Sequence, residues 1–275
     1  MEKDGSGDFT VIQDAVDASA PGDSVLIGPG RYTDTFPFAT PVITVITHVG
    51  VSQGPLTILG VDSSQVIIGP VVPNLVGFGP KGISVGIGVA GVRIQNLTLE
   101  NVHDAAFLGG GVTIHRCVFR GNVLGVFGSS IDPLSVGACS FFGNGIGVTT
   151  GNPTVQAEVF DSTFANNEIG VDLSQTTNGS VRNCTFQSDL VAVQFEQFTI
   201  SEILGCTITN TIRCSISIAL GSQATVTDNH VIGGECNLTV TASFHVEGSG
   251  NLFEGGRFTT LEFAGQATAS LHDNQ

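Results

Sequence analysis

One pattern recurs along most of the chain. Written from its first apolar residue it reads IQNLTLENV at 94, IHRCVFRGN at 114, VGACSFFGN at 136, VFDSTFANN at 159, VRNCTFQSD at 181, ILGCTITNT at 203 and VTDNHVIGG at 226. A weaker copy, GSGNLFEGG, starts at 248, and the steps between copies are 20 to 23 residues. The fourth position runs Leu97, Cys117, Cys139, Ser162, Cys184, Cys206, Asn229, Asn251. The sixth runs Leu99, Phe119, Phe141, Phe164, Phe186, Ile208, Val231, Phe253. A second short apolar segment follows each copy, as in GVFG at 125, GVTT at 147 and GVDL at 170.

These segments are strand-length and show no helical period. A unit of about 22 residues made only of strand and turn cannot bury a face alone, so it must stack on its neighbours. The architecture that does this is a parallel β-helix, each repeat one coil, with strands pairing to the coils above and below at about 4.8 Å. The Phe column then becomes a stack in the core, and the Cys/Ser/Asn column lies at a turn. Composition agrees: 37 Gly and only 12% charged residues suit tight turns and short strands.

The start of the chain differs. In DGSGDFTVIQDAVDASAPGDSVLIGPGRY (4–32), Phe9, Ile12, Ala15 and Val16 share one face at helical spacing. Thr10 and Gln13 fit a capping box, and APGD ends the helix. A helix over 9–19 is expected to cover the first coil, whose core and strand edges would otherwise lie open. This segment resembles the N-terminal cap and first coil of pectin methylesterases. The downstream V-x-x-C/N-x-F-x-x-N…GV units resemble the repeats of the pectate-lyase-like superfamily. The resemblance covers nearly the whole chain and implies an all-β, single right-handed parallel β-helix of about ten coils over 1–275, most regular over 94–263. It implies no single activity, because that fold hosts lyases, esterases, hydrolases, epimerases, adhesins and inert fibres.

Residues 33–93 fit two or three coils with a larger excursion near 34–50, and the prolines there must lie in turns or on edges. The pectin methylesterase motifs are missing. Asp34 stands where the family carries Glu after the first-coil GxY, and no GxxDFIFG follows. The paired-acid and GHG-type motifs of polygalacturonases are missing too.

Six cysteines lie at 117, 139, 184, 206, 214 and 236, and pair off at intervals of 22. Cys117/Cys139, Cys184/Cys206 and Cys214/Cys236 are therefore neighbours on adjacent coils. Two readings stay open: disulfides stapling coils in an oxidising compartment, or reduced cysteines behaving as compact apolar rungs. No spacing matches a zinc site. No cofactor or metal is expected, and Ca²⁺ would enter only if the chain were a lyase.

The outward positions of the GV-type strands form a stripe: Phe127, Thr149, Asp172, Gln194, Ser217, Thr239, Glu262. Glu196 follows Gln194 on the same side. Asp172, Gln194 and Glu196 thus gather on adjacent coils, and a carboxylate pair is what glycoside hydrolysis needs. A lyase would need a cation as base, for which Arg182 is a candidate beside Arg116 and Arg213. The competing reading is a solvated polar face, which any such sheet must present.

The net charge of −15 opposes binding to nucleic acid or an anionic membrane. No run of about 18 apolar residues exists to insert in a bilayer. One Tyr and no Trp leave no aromatic sugar platform. Regular coils with few excursions argue against a walled catalytic cleft. The expectation is a structural or binding solenoid without catalysis, extracellular or at the cell surface, with a leader absent from this chain. The alternative is a polysaccharide lyase or glycoside hydrolase. Expected partners are a polysaccharide, or another protein chain at the C-terminal end, where no cap is evident.

Overall fold

The computed structural model describes residues 1–275 except 3, 39, 51–53, 74–78, 130–131, 152–155, 175, 198, 242–244, 257–258 and 266–267. Each regular coil carries three short strands. In one coil these are Val112–His115, Val118–Arg120 and Leu124–Gly128. Equivalent strands of successive coils pair in parallel and build three sheets, here called first, second and third in the order the chain meets them. The result is a right-handed parallel β-helix. The first and third sheets hold eleven strands each and the second ten, the third counting both arms of the antiparallel pair Phe36–Phe38 and Thr40–Val49; the number of turns differs from the ten expected.

Three ladders fill the interior. In the first sheet Ile94, Ile114, Val136, Val159, Val181, Ile203 and Val226 stand in register and are fully buried. In the third sheet Ala106, Val126, Val148, Val171, Val193, Ile216 and Leu238 do the same. The second sheet supplies the sixth-position column. Phe119, Phe141, Phe164 and Phe186 stack with ring centroids 4.7, 4.6 and 4.7 Å apart and planes within 11° of parallel. Burying each ring is worth about 2 kcal/mol.

The turns repeat too. Between first-sheet and second-sheet strands, one residue takes the left-handed conformation: φ is 55° at Arg116, 51° at Ala138, 49° at Asp161 and 52° at Asn183. The next residue is the Cys/Ser/Asn column, buried beneath the corner. Between second-sheet and third-sheet strands runs a buried amide ladder. The Asn122 amide donates to Asn144 Oδ1 (3.0 Å), Asn144 to Asn167 (3.0 Å) and Asn167 to Asp189 (2.8 Å). Each of these three amides also donates to a carbonyl of the preceding coil, at Leu99, Phe119 and Phe141. Buried polar groups are thereby satisfied coil by coil.

The cap is a helix over Ile12–Asp17, shorter than 9–19, and the expected capping box does not form: its N-cap is Val11, with no side-chain cap bond. Gln13 is held elsewhere. It accepts from His48 N (2.7 Å) and donates to His48 O (3.1 Å), satisfying backbone at the third sheet's first edge. The expected face is confirmed in Ile12, Ala15 and Val16, which are buried, with Phe9 packed against the core. The 34–50 excursion is a strand Phe36–Phe38 antiparallel to Thr40–Val49, whose pairing with the next coil begins at Val45.

Candidate functional site

The outward stripe of the third sheet is in register as anticipated. Phe127, Thr149, Asp172, Gln194, Ser217, Thr239 and Glu262 are successive partners. Asp172 is half-buried, and its carboxylate accepts the backbone N–H of Ser174 (3.1 Å) and the Ser174 hydroxyl. Burial pushes the Asp172 carboxyl up, partly countered by those Ser174 bonds. Burial, then the charge of Asp172, pushes Glu196 up as well. The structure thus brings Asp172, Gln194 and Glu196 together on one face.

Arg182 does not join them. It lies on Gly179–Arg182, a strand of the first sheet, and ion-pairs with Glu158 one coil back. The reason is sequence position within the coil: Arg182 precedes the Cys184 turn, whereas Asp172 follows the Asn167 turn.

Arg182 instead lines a trough of about 350 Å³ on the outer face of the first sheet, with Glu158, Asn178, Ser180, Glu202 and Thr225. Its floor, Glu158, Ser180, Glu202 and Thr225, is part of one longer register column. Arg93, Thr113, Ser135, Glu158, Ser180, Glu202, Thr225 and Glu247 stand side by side on successive coils. The Ser180 hydroxyl donates to Glu202 (2.8 Å). This surface was missed in the sequence because its alternation looks like any solvated strand face. Aligning the residue immediately before each copy of the repeat would have found it.

Two charged clusters also lie near the N-terminal coils. Lys81 Nζ is 2.7 Å from Asp104 and 3.4 Å from the Phe107 ring centroid, while His103 Nδ1 is 2.7 Å from the same carboxylate. Glu100 takes both Arg31 (2.6 Å) and Arg120. Burial raises the Glu100 carboxyl, but the two arginines more than offset this and hold it below its ordinary value.

All six cysteines are free thiols in this structure. Cys117, Cys139, Cys184 and Cys206 are buried at the first turn, and each thiol donates to backbone carbonyls, as Cys139 does to Gly137 (3.2 Å). The neighbouring thiols of adjacent coils also interact, Cys117 with Cys139 and Cys184 with Cys206. Cys214 and Cys236 differ. They are register partners at the start of third-sheet strands, and Cys214 is half-exposed. The Thr239 hydroxyl lies 3.0 Å from one sulfur and 3.1 Å from the other. Among the described residues no group of three or more His, Cys, Asp and Glu is placed to hold a metal ion. Two sulfurs around one hydroxyl make a soft donor pair.

Solved structures resemble this chain in fold. The Agl-KA catalytic domain is 12% identical, aligned over 94% of this chain and 64% of its own length, with a TM-score of 0.54. The catalytic domain of a GH87 alpha-1,3-glucanase in complex with tetrasaccharides is 10% identical over 92% and 64%, with a TM-score of 0.50. A pectin methylesterase from carrot is 12% identical over 98% and 82%, with a TM-score of 0.42. The chain thus spans less than two thirds of the length of the first two. No curated protein sequence matches it. No helix among the described residues is long and apolar enough to cross a membrane. Residues 74–259, more than half of the chain, match a family profile, and by that match the chain belongs to the family described as periplasmic copper-binding protein (NosD).

Proposed function

We propose that this chain is a binding solenoid outside the cytoplasm, without catalysis, that docks an extended, uncharged polysaccharide along the outer face of its first sheet. The observation that carries this reading is the register column through Glu158, Ser180, Glu202 and Thr225, which floors the trough of about 350 Å³. Carboxylates and hydroxyls spaced one per coil offer acceptors and donors to successive sugar hydroxyls. The net charge of −15 disfavours an anionic glycan. A location outside the cytoplasm accords with the periplasmic family.

A second reading, glycoside hydrolysis, is favoured by one observation: Asp172 and Glu196 are both raised, Glu196 in part by the charge of Asp172, as in an acid/base pair. One feature weighs against it: Ser174 already occupies the Asp172 carboxylate. A lyase is disfavoured separately, because Arg182, its candidate base, is committed to Glu158 in another sheet. Copper, which the family description names, would be held by Cys214 and Cys236 as a soft ion between two sulfurs. Titrating the protein calorimetrically with neutral and anionic polysaccharides tests the proposal. It expects heat of binding with a neutral chain, reduced in a Ser180→Ala/Glu202→Gln variant.

A further inference from the structure

We infer that Phe160 is a stacking platform for one sugar ring at the edge of the first-sheet trough, and that the sugar is a neutral pyranose with equatorial hydroxyls, as in a glucan. The inference rests on the reading of the trough as a polysaccharide site and adds to it the class of sugar.

Phe160 ends the strand Ala157–Phe160, two residues after Glu158 and on the same outward side. That places it about 7 Å along the strand from the trough floor. Its register partners are Gly137 on the preceding coil and Arg182 on the next. A Cβ built on Gly137 would point outward and stand 2.2 Å from Phe160 Cζ, 2.5 Å from Cε2 and 2.8 Å from Cε1. Three ring atoms at such similar distances mean that the ring covers Gly137 with its face. Phe127 over Gly151 differs: two ring atoms stand at 2.3 Å and the third at 3.7 Å, so that ring meets its glycine by an edge. One face of Phe160 thus lies on backbone, the other turns outward, and the side chain is half-buried.

The surroundings select the ligand. A pyranose with equatorial hydroxyls carries axial C–H groups on its faces and hydroxyls around its rim. Its face meets the Phe160 ring through dispersion and apolar burial. Its rim hydroxyls meet Glu158, which accepts, and Arg182, which donates; these two pair beside the ring. Phe160 itself offers no polar handle, so an axial hydroxyl set against it would be buried without a partner. Phenylalanine here supplies the platform that a single Tyr and no Trp spoke against.

The test titrates the full chain calorimetrically with soluble neutral glucans of α and β linkage, and repeats the tightest with folded variants. Phe160→Leu, which still covers Gly137 but has no flat face, is expected to lower affinity about tenfold. Phe160→Tyr, which keeps the face, is expected to retain it. Proton magnetic resonance of the bound glucan is expected to show ring C–H signals moved upfield by wild type and not by Phe160→Leu. If Phe160→Leu does not fold, the upfield shift with wild type decides alone, and its absence overturns the platform. Unchanged affinity in Phe160→Leu, with binding still weakened in Ser180→Ala/Glu202→Gln, overturns the platform and leaves the trough. Binding of another neutral polysaccharide but of no glucan overturns the sugar class, and binding of no neutral polysaccharide overturns both.

Discussion

Gly147 lies against the ring of Phe164 on the next coil. A Cβ at Gly147 would stand 2.9 Å from Phe164 Cδ1 and 2.4 Å from the carbonyl oxygen of Gly170. Gly125 and Gly170 face Phe141 and Phe186 in the same way, with carbonyls at 2.4 and 2.6 Å. The glycine of the recurring GV segment is thus the flat surface on which the Phe stack of the second sheet leans.

A Gly147→Ala chain should therefore lose about 1–3 kcal/mol through overpacking, because the atom it meets is backbone and cannot step aside. Urea unfolding followed by circular dichroism measures this. A midpoint unchanged from wild type would mean that the coils separate freely, and the close approach would lose its structural meaning.

Removing a rung tests the stack from the other side. Phe164 is 1% exposed and flanked by rings at 4.6 and 4.7 Å. Phe164→Ala should cost about 3–5 kcal/mol. Phe164→Asp should prevent folding, since it buries an unpaired charge between two rings. Soluble, cooperatively melting Phe164→Asp protein would contradict the ladder.

Asp189 ends the amide ladder as a carboxylate. It is fully buried, takes two bonds from Asn167 on Oδ1, and leaves Oδ2 with no partner. Burial, offset in part by the Asn167 bonds, pushes it up to about 6 from an ordinary 3.8. Because the folded value is the higher one, ionised Asp189 destabilises the fold. Stability is greatest below about pH 4, falls as pH rises to about 6, and is flat in this respect above. The rise from 3.8 to about 6 corresponds to about 3 kcal/mol. Asp189→Asn should remove that slope and stabilise the protein at pH 7, its amide reaching the Phe164 carbonyl as Asn167 reaches that of Phe141. Melting temperatures of both proteins from pH 4 to 8 check the sign. Parallel pH profiles would refute it.

Much of this architecture was legible before any coordinates. The Phe column, the buried Cys/Asn turn column and the outward stripe through Asp172 and Gln194 all follow from aligning eight copies. Periodicity is visible there because one-dimensional stacking turns sequence spacing into contact. What failed needed contacts between distant segments. Gln13 satisfied a capping motif locally but bonds His48, 35 residues away. Arg182 carried the right charge, yet it projects from a different sheet than Asp172. Asp189 reads as one more turn residue, and only its burial beneath Asn167 marks it as a titrating group. The Cys214 pair shared its spacing of 22 with the other cysteines, so spacing could not separate an outward pair from buried rungs.

The trough predicts its own variants. Glu202→Gln keeps size but removes charge, and Ser180→Ala removes the hydroxyl that donates to it. Together they should weaken binding of a neutral polysaccharide about tenfold, on the order of one or two hydrogen bonds. Asp172→Asn should leave that affinity unchanged. Affinity electrophoresis through gels containing the polysaccharide resolves the two outcomes, and weakening by Asp172→Asn alone would move the site to the third sheet.

The central claim is that the outer faces bind without cleaving. The most direct measurement incubates the protein with neutral and anionic polysaccharides and follows new reducing ends and unsaturated products beside bound polymer. The account predicts retention of a neutral polymer with no product released over prolonged incubation. Release of reducing ends that disappears in Asp172→Asn or Glu196→Gln would contradict it and make the third sheet an active site.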